Sequence, residues 1–120
     1  MFDIVFYKNR SGKEPVLEYI EELSERTDKD SRVKLQKVHD YINYLRTEGK
    51  KAGEPYVKHI EGEIWELRPL RDRILFAAFD GQRFVLLHHF VKKTRKIPQS
   101  EVEQAKRNLA DFKERYSHER

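Results

Sequence analysis

The chain has 120 residues, 38% of them hydrophobic and 12% aromatic, which suits one domain built around one core. It has no cysteine, so disulfides, thiolate metal sites and cysteine nucleophiles are excluded. Net charge is +4, and the whole excess lies in residues 56–96, where nine Lys and Arg meet five acids. Such a localised excess points to a polyanionic partner. No apolar run approaches the ~20 residues of a membrane span. No basic start leads into a signal-peptide segment, so the expected setting is the cytoplasm.

Residues 1–7 alternate Phe2, Ile4 and Phe6 with Asp3, Val5 and Tyr7 and predict a strand. Asn9-Arg10-Ser11-Gly12 is turn chemistry. Pro15 opens a helix running to Glu25, with Val16, Ile20 and Leu23 as its stripe. Thr27-Asp28-Lys29-Asp30 caps a longer helix to Glu48, with Leu35, Val38, Ile42 and Leu45 on one face and Gly49 as its stop. Two consecutive amphipathic helices predict a hairpin laid on a sheet.

Four strands follow, over residues 56–60, 63–70, 73–79 and 83–92, with turns at Glu61-Gly62 and Asp80-Gly81. Their short connections imply an antiparallel meander. A last helix opens at Pro98 or is capped by Ser100 with Glu103. Its stripe of Val102, Ala105, Leu109, Phe112 and Tyr116 is expected on the sheet, and residues 117–120 are expected to fray. The fold class is therefore α+β, one domain over residues 1–120: an antiparallel meander with an N-terminal strand, a helical hairpin and a C-terminal helix.

Three features carry chemistry. Side chains alternate along a strand, so Glu66 and Arg68 share a face about 7 Å apart along the chain, while Trp65 and Leu67 point to a core. Arg73, at the start of the next strand, is expected near Arg68. Two guanidiniums that close need an acid or a bound anion between them, and arginine suits a phosphodiester. At a strand start, truncating Arg73 is expected to remove a charge rather than a core side chain. His88 and His89 point to opposite faces. The run HHFVKKTRKIP then places Lys92, Lys93, Arg95 and Lys96 at the end of a buried strand. A solvated loop would carry the same residues. No metal-ligand spacing, phosphate-binding glycine loop or serine-nucleophile motif is present, so no metal and no cofactor are expected.

The segments EIWELRPLRDRILFAAF and FVLLHHFVKKTRKIPQSEVEQAKR, in this order of elements, resemble the RelE/ParE toxin superfamily of bacterial type II toxin–antitoxin systems, in its phage-derived HigB-type branch. The resemblance implies an mRNA endoribonuclease without a metal, acting on mRNA on the ribosome or free. It also implies neutralisation by a HigA-like helix-turn-helix antitoxin, with operator DNA bound through the complex. The family's cationic positions match Arg68, Arg73 and Lys93, and Lys58 matches a basic position on the preceding strand. Some relatives carry lysine where this chain has Glu66, so a glutamate, a lysine or a histidine each remains open as the base. The roles expected are Glu66 as base, Arg68 and Arg73 stabilising charge, and Lys93 as phosphate holder or acid. Lys58, Lys92, Arg95 and Lys96 are expected to guide RNA. The ParE branch, which inhibits gyrase, and a non-catalytic RNA-binding module are the alternatives.

Overall fold

The computed structural model describes residues 1–119, with the side chains of 117–119 left aside. The elements are β1 (Asp3–Phe6), α1 (Pro15–Glu25), α2 (Lys29–Glu48), β2 (Val57–Glu61), β3 (Ile64–Leu67), β4 (Asp72–Phe79), β5 (Arg83–Val91) and α3 (Gln99–Glu119). Among the described residues the strands form one sheet in the order β1-β5-β4-β3-β2. The meander β2–β5 is antiparallel throughout, as expected. β1 adds to its far edge in parallel with β5. Parallel neighbours need a long connection, and everything from α1 to β4 supplies it here.

Local chemistry sets the helix ends. The Asp28 side chain accepts from the Ser31 backbone N–H at 3.0 Å and caps α2. Gly49 ends α2 with φ of 62°, and a Cβ there would meet the Phe2 ring at 2.7 Å, so only glycine fits both the backbone and the space. Both α1 and α2 pack on one face of the sheet around Val38, Leu45, Leu67, Ile74, Phe76 and Leu86. The opposite face is partly covered by α3, through Ala105 and Leu109 against Ile64, Leu75, Ala77, Val85 and Leu87. The expected hairpin-on-sheet and helix-on-sheet packings are both present.

Some boundaries differ from expectation, and one bears on the site. β3 stops at Leu67, three residues early. Pro69 has no N–H to give a ladder, and Leu70 turns the chain with φ of 56°. Arg68 stays beside β2 because its N–H reaches the Tyr56 carbonyl at 3.0 Å. At α3 neither expected start holds. Pro98 stands one residue before the helix, its carbonyl accepting from Glu101 N–H at 3.0 Å. The expected frayed tail is helical backbone to Glu119, and its last residue, Arg120, lies outside the described residues.

Candidate active site

The α3-bearing face of the sheet is not fully covered by that helix. Strand register assembles what lies beside it. Lys58 of β2 and Leu75 of β4 flank Glu66 of β3 on either side, and His88 of β5 flanks Leu75 in turn. Two residues along, Arg68 leaves β3 on the Glu66 face, and Arg73 enters β4 on the Leu75 face opposite Phe90. The two arginines therefore converge on one carboxylate. Arg68 Nε lies 3.2 Å from Glu66 Oε1, and Arg73 Nε lies 3.6 Å from Oε2.

Glu66 is 2% exposed and Arg73 8%, so this is a buried charge cluster rather than a surface pair. Burial costs each ion several kcal/mol unless neighbours offset it. Here burial raises the Glu66 carboxyl above its ordinary value, against the pull of Arg73, Arg68, Lys92 and Lys58. Burial likewise lowers Arg73; Glu66 opposes that, and Arg68 adds to it. The repulsion expected between the two guanidiniums is thus offset by the acid between them. Arg68 also faces Glu54 at 3.5 Å, a partner with no advance signal, since it lies on a loop.

The expectation that Arg73 could be truncated without structural cost is corrected. Its Nη1 donates to the Leu70 carbonyl at 2.8 Å and the Asp72 carbonyl at 2.9 Å. The side chain ties down the turn that delivers it. Three polar atoms of the cluster, Glu66 Oε2, Arg68 Nε and Arg73 Nε, are buried without a hydrogen bond inside the protein. Buried polar atoms are nearly always satisfied, so this concentration at one place marks a polar site.

The cationic run divides. Lys92 is half-buried, anchored by its N–H to the Arg71 carbonyl at 2.8 Å, and its charge acts on Glu66. Lys93 is exposed, and among the described residues no hydrogen bond or ion pair joins it to the cluster. The placement of Lys93 with Glu66, Arg68 and Arg73 is therefore not what the geometry brings together. Alternation from Phe90 puts the next same-face position at Lys92, a signal readable in advance. Lys58 is exposed beside Glu66, and Arg95 and Lys96 are exposed on the loop leading to α3. Two cavities, of about 660 and 430 Å³, open elsewhere and contain none of these residues.

His88 and His89 do point to opposite faces. His88 pairs with Glu101 of α3 at 2.8 Å. His89 pairs with Asp72 at 3.0 Å on the face of the helical hairpin. Neither joins Glu66. Among the described residues no group of three or more His, Asp or Glu side chains is placed to hold a metal ion. No described helix is long and apolar enough to cross a membrane.

Chemically, the cluster is a carboxylate of raised pKa held between two guanidiniums with a lysine alongside. It offers a proton acceptor next to a trap for developing negative charge. A search of curated proteins finds no match to this chain. A family model described as "Phage derived protein Gp49-like (DUF891)" matches residues 18–110, a span that takes in the helical hairpin, the meander and most of α3. The chain belongs to this phage-derived Gp49-like family, a toxin-like family of the RelE/HigB type.

Proposed function

We propose that the chain, acting as one domain, is the HigB-type toxin of a type II toxin–antitoxin module. In this reading it is an endoribonuclease that needs no metal or cofactor and halts translation by cutting mRNA in the cytoplasm. A HigA-like helix-turn-helix antitoxin neutralises it, and operator DNA is bound only through that complex. The observation that supports the reading best is the convergence of Arg68 and Arg73 on the buried Glu66, within a chain of this family.

The chemistry follows from what each group can do. Ionised Glu66 takes the proton of a ribose 2′-hydroxyl, a role that its raised pKa favours. The freed oxygen attacks the adjacent phosphorus. Arg68 and Arg73 stabilise the charge that gathers on the non-bridging oxygens. Lys92 gives a proton to the 5′-oxygen as the P–O bond breaks. The products are a 2′,3′-cyclic phosphate and a 5′-hydroxyl. Lys58, Lys93, Arg95 and Lys96 hold the flanking backbone, and their contribution falls as salt rises.

A second reading, RNA binding without cleavage, has the 2% exposure of Glu66 in its favour, since a substrate hydroxyl must reach that carboxylate. Expression of the chain alone in bacteria tests the proposal. The expected result is growth arrest with loss of intact mRNA, relieved by the antitoxin. Arrest with intact mRNA and inhibited gyrase would instead assign a ParE-like action, and arrest with intact mRNA and active gyrase would favour the binding module.

A further inference from the structure

A buried polar network that the chemistry above does not use lies on the other face of the sheet, directly behind Arg73. Asp72 is 1% exposed. Its Oδ1 accepts from the Tyr19 hydroxyl of α1 at 2.8 Å and from His89 Nε2 of β5 at 3.0 Å. The Tyr19 and His89 rings stack with centroids 3.5 Å apart. Asp72 Oδ2 is buried with no hydrogen bond inside the protein. Burial works against this charge, but the bonds from His89 and Tyr19 hold the carboxyl below its ordinary range, so it stays ionised.

The Asp72 backbone faces the other way. Its carbonyl, with that of Leu70, receives the Arg73 guanidinium. Its N–H returns to the Pro69 carbonyl at 3.0 Å, closing the turn. One residue thus links a three-element contact on the hairpin face to the guanidinium on the candidate active face. A core position beside Ile74 would be filled at lower desolvation cost by an aliphatic side chain. The charged network therefore calls for an explanation beyond packing.

We infer that Asp72, gripped by Tyr19 and His89, is a positioning residue: it fixes the 69–72 turn so that the Arg73 guanidinium is held against Glu66. The inference rests on the functional reading for its effect on catalysis, but not for its effect on Arg73.

The test follows the Arg73 Nε–H by nitrogen-15 NMR in the full chain, beside RNA cleavage kinetics corrected for the folded fraction. In the wild type the buried Arg73 proton exchanges slowly. In Asp72→Ala, and less so in Tyr19→Phe, which keeps the ring stack, its resonance shifts and its exchange speeds up, by about tenfold or more in the former. The Arg83 Nε–H, paired with Asp80 far from this network, stays unchanged. On the same account kcat per folded molecule falls roughly tenfold in Asp72→Ala while KM for RNA holds, since small displacements of a catalytic group cost rate rather than binding. Should Asp72→Ala not fold, Tyr19→Phe carries the test. An unchanged Arg73 resonance and exchange rate in the folded variants would overturn the inference, leaving Asp72 with a stabilising role only. A wild type that cuts no RNA would defeat the functional reading, while the Arg73 signal would still decide this one.

Discussion

At the scale of single residues, Glu66 is where structure and chemistry meet. It is the acid that makes two buried or half-buried arginines tolerable, and the only proton acceptor among the described groups of the cluster. Glu66→Gln keeps the shape and removes both functions. We predict a loss of cleavage of about 10²–10⁴-fold, the usual worth of a general base, with RNA affinity kept or raised because an anion now replaces the carboxylate. Its pH dependence has a definite sign. The folded-state pKa is raised from 4.5, so the folded chain holds this proton more tightly than the unfolded chain. The stabilisation this gives is complete below 4.5 and is lost as pH rises through the folded-state value. Glu66→Gln should flatten that part of the stability profile. The acid limb of cleavage should accordingly lie above 4.5, because the base must be ionised. The lysines give a second prediction: Lys92→Ala should reduce cleavage more than Lys93→Ala in a purified assay, because Lys92 is half-buried with its charge acting on Glu66 whereas Lys93 is exposed. Equal losses would place both in the outer guiding set.

At the scale of elements, much was readable from the sequence. The 3.6-residue stripes gave α1, α2 and α3, and Asp28 and Gly49 marked the two ends of α2. Alternation also placed Glu66 and Arg68 on one face and Leu67 on the other. What the sequence could not give depends on neighbours. The depth of Glu66 depends on its neighbours in β2 and β4 and on the two arginines that fold over it. The early end of β3, after which Arg68 keeps only its backbone bond to Tyr56 of the β2 side, follows from Pro69 and the turn at Leu70. The Tyr19–Asp72–His89 contact joins three elements that only the folded sheet brings together, and no spacing announces it. Lys92 was legible by parity but masked by its position in a run of similar cations. A structural prediction belongs at this scale. Gly49→Ala must adopt a positive φ and push into the Phe2 ring. It should destabilise the fold by about 1–3 kcal/mol in denaturant titration, and leave cleavage per folded molecule unchanged because Gly49 lies on the hairpin side.

At the scale of the whole molecule, the sheet separates two duties. One face buries the hairpin and anchors the 69–72 turn from behind. The other gives part of its area to α3, held by Lys106–Glu61 and Lys113–Glu63 ion pairs at the β2–β3 turn, and presents the rest as the arginine–glutamate cluster. Of the nine cations in residues 56–96, Lys58, Arg68, Arg73 and Lys92 gather around Glu66 on this side. Family membership places the molecule among phage-derived RelE/HigB-type proteins, and the cluster gives that membership a chemical content. The most direct measurement is end-group analysis of RNA cut by the purified chain, on free RNA in chelator and on ribosome-bound mRNA in the magnesium that ribosomes themselves need. The account predicts 5′-hydroxyl and 2′,3′-cyclic phosphate ends on both, cutting of free RNA unaffected by chelator, and no cutting where the 2′-hydroxyl is methylated. Ends bearing 5′-phosphate and 3′-hydroxyl, or cutting of free RNA that is lost in chelator and restored by a divalent ion, would contradict it.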